Sequence, residues 1–191
     1  MKVVAFNGSP RKTGNTAFLL QTVMDLVREQ GIEAEIVQVG GKPIQGCTAC
    51  YHCFENKDCH CAVDTDILNS CLDRMLSADG ILLGSPTYFS CMSPEMKALI
   101  DRAGLVSLAN GRPLRRKVGA AVVAARRAGA VHTFDSINHF FTINEMIIPG
   151  ANYWNIGFGR GKEEVQRDDE GLATMKSLAK NMVWLMKKLN D

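Results

Sequence analysis

The sequence predicts an α/β protein built on a five-stranded parallel sheet in the order 2-1-3-4-5, with helices on both faces as a three-layer sandwich. Short apolar runs alternate with helix-like periodic segments along the whole chain, the pattern of parallel strands joined by crossover helices. The third run is apolar almost throughout, as strands buried on both faces are. The first run lies at the N-terminus, where the first strand of such a sheet would begin. With 191 residues and no internal repeat or low-complexity linker, residues 1–191 read as a single domain, long enough for a sizeable core.

Val3 to Asn7 forms the first strand and Thr16 to Glu29 the first helix, which Gly31 stops. Glu33 to Val39 alternates as the second strand, and Gly40-Gly41-Lys42-Pro43 breaks it. A cysteine-rich excursion at about residues 41–63 follows. Asp64 or Thr65 caps a second helix reaching Ser77, and Asp79 to Gly84 is a short strand. Ser93 supplies an N-cap and Pro94 the first helical position of a helix running to about Ala109. Lys117 to Ala124 is the fourth strand and Thr133 to Met146 the next helix. Ile147 to Tyr153 reads as a fifth strand, placed at an edge by Pro149, which has no N–H to give a ladder. Glu170 to Leu189 closes the chain as an amphipathic helix.

Composition narrows the function classes. Hydrophobic residues at 46% and charged residues at 22% are ordinary for a globular domain. A net charge of +2 is too small to argue for nucleic acid or an anionic membrane surface. No apolar run approaches the roughly 20 residues of a membrane span. The N-terminus also lacks the long apolar region and cleavage site of a signal peptide. The expectation is a cytoplasmic protein with reduced cysteines and neither a nucleic-acid nor a membrane partner.

Three loops and one cysteine run carry the chemistry. The first strand ends in Gly8-Ser9-Pro10-Arg11-Lys12-Thr13-Gly14-Asn15-Thr16 and enters a helix. Small residues let this backbone curl, and the helix start offers free N–H groups. Ser9, Asn15 and Thr16 add neutral donors and Arg11 a cation, a set suited to a phosphomonoester. A nucleotide-triphosphate loop is excluded, because Asn-Thr stands where Lys-Ser/Thr is required and the glycine spacing is one residue too long. The dinucleotide G-x-G-x-x-G is absent here, and Gly157 to Gly161 has the wrong spacing for it. The third strand ends in Pro86-Thr87-Tyr88-Phe89, a flat apolar wall for a planar ring. The fourth ends in Arg126-Arg127-Ala128-Gly129, whose cations suit an anionic ring or a phosphate, or simply a solvated loop.

Four of the seven cysteines, Cys47, Cys50, Cys53 and Cys59, fall within thirteen residues at spacing C-x2-C-x2-C-x5-C. Such gaps are like those of iron–sulfur ligation. A four-thiolate zinc site is the rival metal, although zinc more often pairs two separated C-x-x-C knuckles. Free thiols or a disulfide remain open as well. Cys61 is a substitute ligand, His52 a solvated loop histidine, and Cys71 a core residue within a helix.

Taken together, Gly8-Ser9-Pro10-Arg11-x-x-Gly14-Asn15-Thr16, Pro86-Thr87-Tyr88 with Ser93-Pro94-x-x-Lys97-x-x-x-Asp101-Arg102, and Ala125-Arg126-Arg127-x-Gly129 resemble the flavodoxin-like NAD(P)H-dependent FMN reductase superfamily. With the cysteine run, the chain is similar to its iron–sulfur flavoprotein branch. The resemblance implies a flavodoxin-like fold and an FMN whose phosphate is held by Ser9, Arg11, Asn15 and Thr16. It implies that Pro86, Thr87, Tyr88 and Phe89 border the ribityl chain and ring, with Arg126, Arg127 and Gly129 near the ring. It also implies a [4Fe-4S] cluster on Cys47, Cys50, Cys53 and Cys59, and a homodimer or homotetramer. The expected activity is an FMN oxidoreductase fed by NAD(P)H or a ferredoxin-like donor, with no catalytic side chain. An FMN carrier between proteins, a plain flavin or quinone reductase without a cluster, and a regulatory metal module are the alternatives.

Overall fold

The apolar runs become the strands of one sheet in the computed structural model, which describes residues 1–190. Strands β1 (Lys2–Asn7), β2 (Glu33–Gln38), β3 (Gly80–Pro86), β4 (Val118–Ala125) and β5 (Ile156–Phe158) all pair in parallel, in the order β2-β1-β3-β4-β5. This is the flavodoxin-like arrangement, and the predicted sheet order holds. The helices are α1 (Asn15–Glu29), α2 (His52–Asn56), α3 (Leu68–Ser77), α4 (Pro94–Ala109), α5 (Ala130–Ile143) and α6 (Asp169–Asn190), with a 3₁₀ turn at Glu164–Arg167.

Strand alternation sorts the core into two layers, because successive side chains leave a strand on opposite faces. Val4 and Phe6 of β1, Ile81 and Leu83 of β3, and Ala121 and Val123 of β4 meet Met75 of α3, Leu99 and Val106 of α4, and Phe141 of α5. Val3, Ala5, Leu82, Ala120 and Val122 point the other way, onto Leu20 and Val23 of α1 and Leu178 and Met182 of α6. Burying each leucine or phenylalanine contributes about 1.5–3 kcal/mol. Both layers are therefore strong enough to fix the strand ends from which the loops emerge.

The predicted fifth strand is wrong. Ile147 makes only an isolated bridge to Val118, and Pro149 follows it. The edge strand lies further on, at Ile156–Phe158, where β4 ends. Asn155 steers the chain there: its carbonyl accepts from Val123 N at 2.9 Å and its Nδ2 donates to the Ala121 carbonyl at 3.1 Å. Gly157 permits the close approach, since an added methyl would sit 2.8 Å from Leu19 and Val165. Gly157 to Gly161 thus contains the end of the last strand and its exit.

Two helix starts also differ. The α3 helix begins at Leu68, later than predicted, and the nearby carboxylate that accepts a helix amide is Asp66, from Leu68 N at 3.0 Å. Helix α5 opens three residues early, directly after Gly129. Ser93 caps α4 as expected, accepting from Met96 N, and its hydroxyl donates to the Gly8 carbonyl at 2.7 Å. That bond ties α4 to the loop after β1.

Candidate functional site

Sheets of this order bind ligands beyond the carboxyl ends of the strands, between β1 and β3 where the direction of winding reverses. A cleft of about 220 Å³ opens there. Ser9, Arg11, Asn15 and Thr16 line it from the first loop, with Pro86, Thr87 and Tyr88 from the third and Arg126 from the fourth. The first loop is held through its backbone amides. Gly8 N donates to the Gly84 carbonyl at 2.7 Å, Ser9 N to Asn7 Oδ1 at 3.1 Å, and Arg11 N to Ser9 Oγ at 3.2 Å. No side chain caps α1, whose N-cap is Gly14, so its first amides have no side-chain acceptor.

Asn15 departs from its expected role. Its Nδ2 donates to the carbonyls of Gly159 and Gly161 at 2.9 and 3.0 Å, and its Oδ1 accepts from Val165 N. The side chain is a brace between the phosphate-type loop and the exit of β5. By doing so it brings Gly159 and Arg160 into the cleft wall, which sequence reasoning missed. Arg160 is a third cation there, beside Arg11 and Arg126.

The loop after β3 is a tight turn. Tyr88 N donates to the Cys91 carbonyl at 2.8 Å and Cys91 N returns to Tyr88 O at 3.0 Å. Phe89 (φ 49°) and Ser90 (φ 60°) both take the left-handed conformation, which costs free energy for non-glycine residues. The Phe89 ring projects into solvent at 106% exposure and lines no part of the cleft. Thr87 stays inside: its N–H reaches the Ala124 carbonyl at 2.8 Å, while its Oγ1 is buried without a hydrogen-bond partner.

Arg127 and Gly129 line a second cavity of about 440 Å³ beyond Arg126. Its other walls include Tyr153, Trp154 and Phe158, each about half exposed, with the Tyr153 and Trp154 rings 4.9 Å apart.

The cysteine excursion starts against the first loop. Val39 N and Gly40 N both donate to the Asn7 carbonyl, and a side chain at Gly40 would collide with the Ser9 backbone. Cys47 and Cys50 are exposed, and Cys53 is buried on the short helix α2. These three share a small cleft with Cys61, Val63, Arg102 and Leu105. Cys59 lies outside it, in the left-handed conformation (φ 63°), with its N–H on Asn110 Oδ1 at 3.1 Å. Burial, together with the neighbouring Cys61, Cys50 and Cys47, pushes the Cys53 thiol above its ordinary pKa. Among the described residues, no three Cys, His, Asp or Glu side chains are close enough to share one metal ion.

Arg102 forms the floor of this region, 1% exposed. It pairs with Asp66 and donates to the Gln45 and Val63 carbonyls at 3.2 and 2.7 Å, leaving its buried Nε–H without a partner. Burial opposes its charge, but Asp66 and the adjacent Cys61 hold its pKa above the ordinary range. The remaining thiols are apart from this group. Cys71 is buried in the core with its pKa pushed up to about 11 by desolvation, and Cys91 lines a groove between α4 and α5. His60 pairs with Asp73 at 2.9 Å. None of the helices described is long and apolar enough to cross a membrane.

Comparison with known proteins agrees with this fold. The family profile described as NADPH-dependent FMN reductase matches residues 1–161. An iron–sulfur flavoprotein of Methanocaldococcus jannaschii is 37% identical, covering 98% of each chain. One from Methanosarcina thermophila is 31% identical over 95% of this chain and 93% of its own. Among solved structures, RosB with bound 8-demethyl-8-formylriboflavin-5'-phosphate superposes with a TM-score of 0.79 at 20% identity, covering all of this chain and 80% of RosB. An archaeal flavodoxin gives 0.61 at 14% identity over 98% and 99% of the two chains. The chain belongs to the NADPH-dependent FMN reductase family.

Proposed function

We propose that this family member is a cytoplasmic FMN oxidoreductase that takes electrons from NAD(P)H, or from a ferredoxin-like donor, and passes them on through a [4Fe-4S] cluster in the cysteine excursion. The observation that carries the flavin is Thr87 Oγ1, a buried polar atom without a partner in the wall of the cleft. A buried hydroxyl left unpaired costs free energy, so the cleft is matched to something that supplies a polar contact there. The rest of the wall fits a flavin mononucleotide. The uncapped start of α1, with Ser9, Thr16, Arg11 and Arg160, would hold the phosphate. Pro86, Thr87 and Tyr88 would flank the ribityl chain and ring, which needs the adjoining cavity for room.

FMN, when bound, accepts a hydride from NAD(P)H and can release its two electrons singly, as a one-electron cluster requires. Hydride transfer calls for no protein acid or base, so the residues of the cleft bind, orient and shield. Cys47, Cys50 and Cys53 would hold the cluster, with the fourth thiolate from the Cys59–Cys61 turn. Ala49, Tyr51, Lys57 and Cys59 are all left-handed non-glycine residues. Such reversals turn amides inward around an anion, as iron–sulfur loops do. That both relatives are iron–sulfur flavoproteins by name supports the same reading. Along α4, Ser93 beside the phosphate loop and Arg102 at the cysteine cleft are on the order of 14 Å apart, from the rise of about 1.5 Å per residue. The half-exposed Tyr153, Trp154 and Phe158 support self-association as a homodimer or homotetramer.

Anaerobic purification tests the reading. It expects one FMN per chain, iron and acid-labile sulfide in equal amounts, and NADH or NADPH oxidation with a dye acceptor. A colourless protein sinks it. FMN without iron leaves a plain flavin or quinone reductase, and cofactors without NAD(P)H oxidation leave a carrier between protein partners.

A further inference from the structure

Spacing makes Cys59 the expected fourth ligand, but the fold sets Cys59 and Cys61 in different places. Cys61 lines the cleft with Cys47, Cys50 and Cys53; Cys59 does not. The Cys61 backbone is clamped at both ends by Asn69 in the first turn of α3. Its N–H donates to Asn69 Oδ1 at 2.8 Å and its carbonyl accepts from Nδ2 at 2.9 Å. The chain on from Cys61 stays with the cleft, since Ala62 and Val63 line it and the Val63 carbonyl holds Arg102. Cys59 is instead drawn toward the end of α4 by Asn110.

Arg102 gives a second, independent pointer. It is buried and lines the same cleft, and its hydrogen bonds go to Asp66, Gln45 O and Val63 O. Its Nε–H has no acceptor. A buried charged donor left unpaired costs more than a neutral one. An anionic sulfur in the cleft would remove that cost.

We propose that Cys61, not Cys59, is the fourth thiolate of the cluster, with Arg102 as the buried cation that offsets its charge. This rests on the cluster reading above and assigns its ligands. Each of the four cysteines gives up its thiol proton to solvent on ligation, which places excess negative charge in a largely apolar cleft. A fixed guanidinium beside the sulfurs makes that charge less costly and tunes the site, as groups bonded to metal ligands generally do.

The test compares Cys59→Ser and Cys61→Ser, purified anaerobically, by iron and sulfide content and by the EPR spectrum after reduction. FMN content serves as the check on folding. Cys59→Ser is expected to match the wild type, and Cys61→Ser to lose most of its iron while retaining FMN. A second measurement needs no variant: in loaded wild-type protein, iodoacetamide should modify Cys59 but reach Cys61 only after the iron is chelated. Iron lost from Cys59→Ser, iron retained in Cys61→Ser, or Cys61 alkylated in loaded protein overturns the assignment. Wild-type protein that holds FMN but no iron overturns the cluster reading itself, a separate result.

Discussion

Replacing Thr87 by Val removes one hydroxyl from the cleft and keeps nearly the same side-chain volume, so its effects divide cleanly between free and bound protein. In the protein without cofactor, Thr87 Oγ1 is buried and unpaired. Deleting such an atom relieves a penalty of about 1–3 kcal/mol. The cofactor-free variant should therefore be more stable, and for a chain of this size about 1 kcal/mol raises Tm by about 2–4 °C. When FMN binds, the wild-type hydroxyl gains a partner and the variant gains nothing. The affinity should then fall by a similar amount. At 1.4 kcal/mol per tenfold, a loss of about 1–2 kcal/mol raises Kd about 5- to 30-fold. Thermal unfolding of apoprotein and titration of FMN fluorescence measure the two effects separately. A Kd that does not change, or an apoprotein that is less stable, would refute the claim that this hydroxyl waits for the flavin.

Arg11→Ala, Thr16→Ala and Arg160→Ala should each weaken FMN binding by ~1–3 kcal/mol, the scale of a charged or buried hydrogen bond. Unchanged affinity in all three removes the phosphate from this loop. Gly40→Ala drives a methyl into the Ser9 backbone and should cost about 1–3 kcal/mol in urea unfolding with weakened FMN binding; wild-type values would show that the two loops are not packed together. Burial alone would raise the Asp66 pKa, but the Gln45 and Leu68 amides and Arg102 hold it below its ordinary value. A carboxylate depressed on folding stabilises above the unfolded pKa of about 3.9 and loses that contribution as pH falls through its folded value. Asp66→Asn should thus flatten the acid end of the apoprotein stability profile, and an unaltered slope would assign acid unfolding elsewhere. In gel filtration at micromolar concentration the protein should run as a dimer or tetramer, and a sharp peak near 20.9 kDa would count against self-association.

The sequence makes β1, β3 and β4 legible because each is a nearly continuous apolar run, and burial on both faces leaves no other reading. β5 is illegible for the opposite reason. Three residues suffice to extend an edge, one of them is glycine, and the more strand-like Ile147 to Tyr153 is spoiled by a proline. The phosphate-type loop can be read because all its parts are consecutive. Arg160 cannot, since the Asn15 bond that carries its loop to the cleft crosses a sequence separation of 144 residues.

Arg102 shows the same limit more sharply. It follows Lys97 and Asp101, an ordinary exposed pair at i,i+4 with Nζ 2.6 Å from the carboxylate, and by sequence it belongs to that solvated face. The neighbouring residue on a helix points about 100° away, and here that rotation carries a guanidinium from solvent to the floor of the cysteine cleft. Asp66 and the Val63 carbonyl meet it there only because the chain from Cys61 to α3 folds back over α4. Which of two nearby cysteines faces a common centre is likewise decided by that return path, in which Asn69 fixes Cys61 and Asn110 draws Cys59 aside. Spacing defines a set of thiols able to reach a cluster. Selection within the set comes from the groups that hold the backbone, so substituting Asn69 should disturb the site more than its distance from any sulfur chemistry suggests.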